Sequence, residues 1–251
     1  MSEVQELDGA DVVRVRADNP GPLTLSGTNT WVLGRDPAWV VDPGPGDPAH
    51  LGAVDAVVAS RGGAGGIALT HDHADHSAGL ESLRARLGGV PVLRHGVEPF
   101  GPLEPLPLPG HADDHVVFVW GRVACTGDAV LGEGSVFVAG DLAAYLEGLR
   151  RLRARDLDLL CPGHGSPVHD PAAHVDAYLA HRLDRERRLL DALAAGLRAH
   201  DDLLDAAWSD APPALRGAAM LTMHAHLRKL AAEGRLPDGV AVPAVPAAPE
   251  V

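Results

Sequence analysis

Leu69-Thr70-His71-Asp72-His73-Ala74-Asp75-His76-Ser77 packs three histidines and two aspartates into the six residues from His71 to His76, directly after the apolar run Gly66-Ile67-Ala68-Leu69. An apolar run followed by such a cluster reads as a strand with a polar loop at its carboxyl end. Imidazole and carboxylate are the ligands that suit zinc and its divalent neighbours. Histidines at n, n+2 and n+5 with an aspartate at n+4 address two adjacent sites, one through His71 and His73 and the other through Asp75 and His76. The competing reading is a polar surface loop rich in histidine by chance. It loses weight because the rest of the chain supplies three further ligands in order. They are His111 in Pro109-Gly110-His111, Asp128 in Thr126-Gly127-Asp128, and His164 in Pro162-Gly163-His164-Gly165.

This order of motifs resembles the metallo-β-lactamase superfamily of binuclear metallohydrolases. Within it, Gly27-Thr28-Asn29-Thr30, Asp42-Pro43-Gly44-Pro45-Gly46-Asp47, Gly110 to His115, Gly127 to Gly134 and Pro162 to Gly165 resemble the branch that contains β-lactamase-like protein 2. The match runs over nearly the whole chain. It implies an α/β fold, a four-layer αββα sandwich, followed by a small C-terminal winged-helix appendage. It also implies a ligand set: His71, His73 and His111 on one metal, Asp75, His76 and His164 on the other, and Asp128 bridging. Two Zn2+ ions are the implied cofactors, with Mn2+ and Fe2+ as alternatives for the same ligands. A hydroxide between two dications is a nucleophile at neutral pH, and Asp75 is the catalytic residue that orients it and takes up its proton. Asp42 is placed beneath the metal loop, holding ligand-bearing backbone in position.

Such machinery suits phosphodiesters, thioesters and lactams alike. Binuclear β-lactamases of the common type carry Cys where this chain has Asp128, and Cys125 lies three residues too early to replace it. Antibiotic hydrolysis is therefore not the expected main role. Flavodiiron oxygen reductases place Glu where His73 stands, which favours hydrolysis over diiron redox chemistry; a one-iron sulfur dioxygenase is a minor alternative. Two hydrolytic readings remain. An endoribonuclease acting on single-stranded RNA is implied by the branch. A thioesterase, or glyoxalase-II-like hydrolase of small thioesters, fits the acidic main domain and the scarcity of lysine. A metal-stabilised binding module is disfavoured because no ligand is missing. The surface discriminates: a positive groove leading from the metals favours RNA, and a closed apolar pocket favours a thioester.

The 251 residues, 46% of them hydrophobic, can bury one substantial core and a small appendage. No apolar stretch approaches the roughly 18 residues of a membrane span, and Met1-Ser2-Glu3-Val4-Gln5-Glu6 lacks a basic-then-apolar leader. A cytoplasmic protein with no membrane partner is expected. The two cysteines, Cys125 and Cys161, then read as small buried hydrophobes without a disulfide. The formal charge is −13, and residues 1–180 carry 12 basic against 24 acidic side chains. That balance argues against indiscriminate nucleic-acid binding.

Three strands open the chain, over 11–16, 30–33 and 38–41, and a helix follows at about 47–60. Residues 77–87 show helical spacing and end in Gly88-Gly89. From Val90 to Gly110 the prolines forbid a central strand, and His95 reads as a solvated loop residue. A hairpin turning on the single residue Gly121 leads to Asp128, a helix covers 142–155, and a strand at 158–161 delivers His164. The domains are expected at 1–180 for the catalytic fold, 181–238 for the winged-helix-like unit with helices through 172–200, 203–208 and 215–233, and 239–251 for a disordered Pro/Ala tail.

Overall fold

The computed structural model describes residues 2–7, 9–94, 96 and 98–245. Strands β1 (Glu3–Leu7), β2 (Val12–Arg16), β3 (Asn29–Leu33) and β4 (Ala38–Val41) pair antiparallel in succession. β5 (Ala64–Ala68) and β6 (Val92–Leu93) add in parallel and complete a six-stranded sheet in sequence order. Four more strands, β7 (Glu104–Pro107), β8 (Val116–Trp120), β9 (Val123–Gly127) and β10 (Leu159–Pro162), form a second sheet in the order β10-β9-β8-β7, with β9 and β10 parallel.

The alternation of each strand decides its two faces. Trp31, Leu33, Val41 and Ala68 of the first sheet pack against Val116, Phe118, Cys125 and Cys161 of the second. Between β4 and β6 the chain forms α1 (Pro48–Ser60), α2 (Ala74–Ser77) and α3 (Leu80–Arg86). The outer-facing Val32, Val40 and Ile67 bury against Leu51, Val54 and Val58 of α1 and Leu80 and Leu83 of α3. On the other side Val117, Val119, Ala124 and Leu160 are covered by α4 (Leu142–Arg153) and the first half of α5 (Pro171–Ala194). Four layers, αββα, result. The helices start where the side chains demand it: Asp47 accepts from the His50 amide before Pro48, and Asp141 accepts from the Ala144 amide.

The second half of α5, with α6 (His200–Ala207) and α7 (Arg216–Ala232), encloses a separate core of Leu189, Leu193, Leu203, Leu204, Met223, Leu227 and Leu230. Among the described residues no strand follows β10, so this unit is a three-helix cap. The boundary expected at 180/181 falls inside α5, whose Val175 and Tyr178 belong to the main core. The helix expected to run to 200 stops at Ala194. Gly196, at φ +93°, closes it with the paired bonds of a Schellman motif, Gly196 N–H to Leu193 and Leu197 N–H to Ala192.

Further differences have local causes. β1 is a fourth opening strand that the pattern Glu3-Val4-Gln5-Glu6 hides, because it lies at the sheet edge with its side chains exposed. The β8–β9 turn holds two residues, Gly121 and Arg122, since Trp120 pairs with Val123. Residues 77–87 are split between the end of α2 and the separate α3. The proline-rich stretch forms only the two-residue β6 and the edge strand β7, where Pro105 and Pro107 need no donor on the open side. Both cysteines are buried and free, and they face each other in register on β9 and β10. His95 and residues 246–251 lie outside the described residues; residues 239–245 have no helix or strand, and the Ala241 carbonyl accepts from His200 Nε2 at 2.9 Å.

Candidate metal centre

The ends of the parallel pairs β4/β5 and β9/β10 build the site. Asp42 follows β4, the 71–76 loop follows β5, Asp128 follows β9 and His164 follows β10. One clamp joins the two sheets at this end. Asn29 Nδ2 donates to the carbonyls of Pro162 and Gly165, Trp31 Nε1 donates to Pro162, and Thr28 bridges to His164.

All seven sequence-expected ligands come together, in two groups. His71, His73, His111 and Asp128 place one ligand atom each within 4.8 Å of one another, and so do Asp75, His76 and His164. Individual separations are tighter. His73 Nδ1 is 3.0 Å from His71 Nε2 and 3.1 Å from His111 Nε2, and His111 Nε2 is 3.6 Å from Asp128 Oδ2. In the second group His76 Nε2 is 3.4 Å from His164 Nε2 and 3.4 Å from Asp75 Oδ2. Donors around one tetrahedral ion with bonds of about 2.0–2.1 Å lie roughly 3.3 Å apart. The spacings therefore match ion coordination. Asp128 stands between the groups, with Oδ2 3.3 Å from His164 and Oδ1 3.4 Å from His76. Its Oδ1 is buried and has no well-formed hydrogen bond, as a carboxylate oxygen directed at a cation would.

Partners behind the ligands aim them. Asp42 is buried at φ +55° and accepts from the Thr70 amide at 2.7 Å, the Thr70 hydroxyl at 2.8 Å and His76 Nδ1 at 2.8 Å. Because the Thr70 hydroxyl gives its proton to Asp42, its oxygen is left to accept from His71 Nδ1 at 3.0 Å, which frees His71 Nε2 as a lone-pair donor. The carbonyl of Phe137 receives His111 Nδ1 at 3.2 Å, and that of Gly27 receives His164 Nδ1 at 3.3 Å. Thr28 donates to Asp75 Oδ2 at 2.9 Å. Gly163 is required by close approach, since a Cβ there would lie 2.5 Å from Asp128 Oδ1 and 2.6 Å from His76 Cε1.

Electrostatics divide the two groups. Burial, reinforced by the neighbouring His76 and His115, holds the His71 pKa well below its ordinary value, and burial also lowers His111. Burial opposes charge on His76 as well, but Asp128 and Asp42 outweigh it and raise its pKa well above normal. His164 rises to about 9 for the same reason, burial losing to Asp128 and Asp75. Asp75 is pulled down to about 2, where burial is overcome by His164 and His76.

One residue of the site was not singled out from the sequence. His115 is fully buried, and its Nε2 accepts the amide of Asp128 at 3.1 Å, fixing the loop that carries the Asp128 carboxylate. Burial, with His111 nearby, pushes its pKa to about 3, which keeps that nitrogen unprotonated. Its signal was present in Gly110-His111-Ala112-Asp113-Asp114-His115, read there only for the first histidine.

No protein-family model matches the chain. A β-lactamase-like protein 2 homolog from Caenorhabditis elegans is 30% identical over 264 residues, covering 92% of this chain and 87% of the relative. The chain belongs to the metallo-β-lactamase superfamily. An atrochrysone carboxyl ACP thioesterase from Aspergillus chevalieri is 34% identical over 205 residues, 72% of this chain and 65% of that protein. The crystal structure of a metallo-β-lactamase family protein from Thermus thermophilus superposes with a TM-score of 0.67 and 25% identity, over 89% of this chain and 94% of the other. With its histidine and aspartate clusters able to hold metal ions, this member of the superfamily is a metal-dependent hydrolase. No helix among the described residues is long and apolar enough to cross a membrane.

Proposed function

We propose that the chain hydrolyses small thioesters, using two divalent ions held by His71, His73 and His111 and by Asp75, His76 and His164, with Asp128 between them. The observation that carries the substrate class is the state of the basic side chains in the C-terminal cap. Residues 181–236 contain nine of them. Arg185, Arg187, Arg188, Arg216, Lys229 and Arg235 are all ion-paired with carboxylates. Arg182, Arg198 and Arg228 donate to backbone carbonyls. An RNA enzyme needs cations free to replace the counterions of several phosphates. This cap presents no row of exposed unpaired cations, Arg182 being buried, and the loops around the centre add Asp72, Asp113 and Asp114 beside the ligands. The likeness to an ACP thioesterase supports the same reading.

Divalent ions held by these residues would supply Lewis acidity, enough to bring the pKa of a bound water towards about 7 and to polarise a carbonyl. The protein's part is orientation and proton transfer. Asp75 is ionised, half-buried and held through Oδ2 by Thr28, so its carboxylate is fixed where it accepts the proton of the attacking water. Asp42 and Thr70 keep the imidazoles in the tautomers that offer Nε2 to the centre.

A parallel assay of zinc-loaded protein on a short acyl thioester, single-stranded RNA and a chromogenic β-lactam tests this. Thioester turnover that changes little between about 50 and 200 mM salt is expected. RNA cleavage that falls steeply over that range, without thioester turnover, overturns the reading.

A further inference from the structure

A cavity of about 160 Å³ lies between the 135–137 loop and the helical cap, and its wall includes Ser135, Phe137, His181, Arg182, Arg185, Trp208 and the carboxylate Asp210. Arg182 is its unusual member. The residue is only 2% exposed. Its Nη2 donates to Ser135 Oγ at 2.9 Å and to the Val136 carbonyl, while its Nε has no hydrogen-bond partner. Among the described residues no carboxylate pairs with it, and the Tyr145 ring lies 5.6 Å from Cζ. Arg185 on the same wall is different, because both its amino groups bind Asp210, at 2.6 and 3.0 Å. A buried cation normally carries a counter-charge, since desolvation without one is strongly unfavourable. The surroundings register the excess: burial, followed by Arg182 and Arg185, lowers the His181 pKa to about 4, so its ring is neutral.

We propose that this cavity seats a compact oxyanion, a carboxylate or a phosphate, carried on the part of the substrate remote from the bond being cleaved. A buried guanidinium whose Nε–H lacks a partner can give such a group a charge-assisted hydrogen bond. The Ser135 hydroxyl adds a polar contact, and His181, with Nε2 accepting from Arg185 Nε at 3.2 Å and Nδ1 3.3 Å from Ser135 Oγ, holds that hydroxyl in place. The volume of about 160 Å³ admits the anionic group. Phe137 connects the cavity to the metal centre, for it lines the one and its carbonyl holds His111 Nδ1 in the other. The assignment of the anion to the substrate rests on the thioesterase reading; the anion seat itself does not.

Metal-loaded protein is given two pairs of thioesters. One pair shares a neutral thiol and differs in acyl group, acetyl against succinyl. The other shares an acetyl group and differs in thiol, plain against phosphorylated. Arg182→Gln is expected to reduce kcat/KM about tenfold more for the anionic member of one pair than for its neutral partner, through KM, and Arg182→Lys to recover part of the loss. The pair that responds identifies whether the anion comes from the acyl or the thiol side. Binding is read independently by titrating inorganic phosphate against the Trp208 contribution to fluorescence, taken as the difference between wild type and Trp208→Phe. A saturable response that Arg182→Gln abolishes supports the seat even if no thioester is hydrolysed, in which case only the substrate reading has failed. If Arg182→Gln does not fold, Ser135→Ala is expected to weaken the same response. A wild-type protein without a phosphate response, or a response that Arg182→Gln and Ser135→Ala both leave intact, overturns the proposal.

Discussion

The two halves of the centre are built from similar residues and are charged in opposite ways. His71 and His111 sit in a group where burial keeps imidazole neutral, so their lone pairs stand ready. His76 and His164 sit among Asp42, Asp75 and Asp128, which hold protons on them against the effect of burial. In the first half the protein prepares ligands, whereas in the second it prepares charge that an ion must displace. The protons that these carboxylates hold on His76 and His164 would thus have to leave when a second cation binds.

The most damaging change is expected where the halves meet. Asp128→Ala removes a carboxylate oxygen from each group, and kcat should fall by about a thousandfold, equivalent to the several kcal/mol that metal-held charge supplies. Elemental analysis should show both ions weakened. If one ion is held as tightly as in wild type, Asp128 belongs to a single half and the bridging role is wrong.

A smaller and one-sided effect is expected at Asp42, which touches His76 directly but reaches His71 only through Thr70. Asp42→Ala should lower affinity for the second ion by about 10–100-fold and disturb the first less. Asp42→Asn keeps an acceptor for the Thr70 amide and tolerates the positive φ, so it should lie between. Equal losses at both halves would erase the asymmetry.

The smallest effect is a count of protons. At pH 7 the first equivalent of zinc should release almost none, because His71 and His111 titrate below that pH. The second should release roughly two, from His76 and His164, whose folded pKa values lie above it. The sign follows: as pH falls, the second ion is lost first. Titration in weak buffer with a pH indicator measures both steps, and equal release from each would contradict the contrast.

The seven candidate ligands were legible as short motifs, and those at 71–76, 128 and 164 each follow an apolar strand. The sandwich came from the family resemblance, and the opening strands β2, β3 and β4 were consistent with one of its sheets. What escaped detection depends on distant partners. Asn29 acts through carbonyls at Pro162 and Gly165, more than 130 residues away, so the Gly27-Thr28-Asn29-Thr30 motif marks the residue without showing what it holds. His115 works through the amide of Asp128, a role that exists only once β8 and β9 are paired. β1 was missed because an exposed edge strand need not be apolar. The closing of α5 at Gly196 was visible, but the leucines at 193 and 197 span the break and mimic one helix.

Elemental analysis of zinc-saturated protein, wild type beside His164→Ala, tests the two-ion account most directly. Two ions per chain are predicted in the wild type and one in the variant, retained by His71, His73 and His111. A wild type that saturates at one ion, or a variant that keeps two, contradicts it.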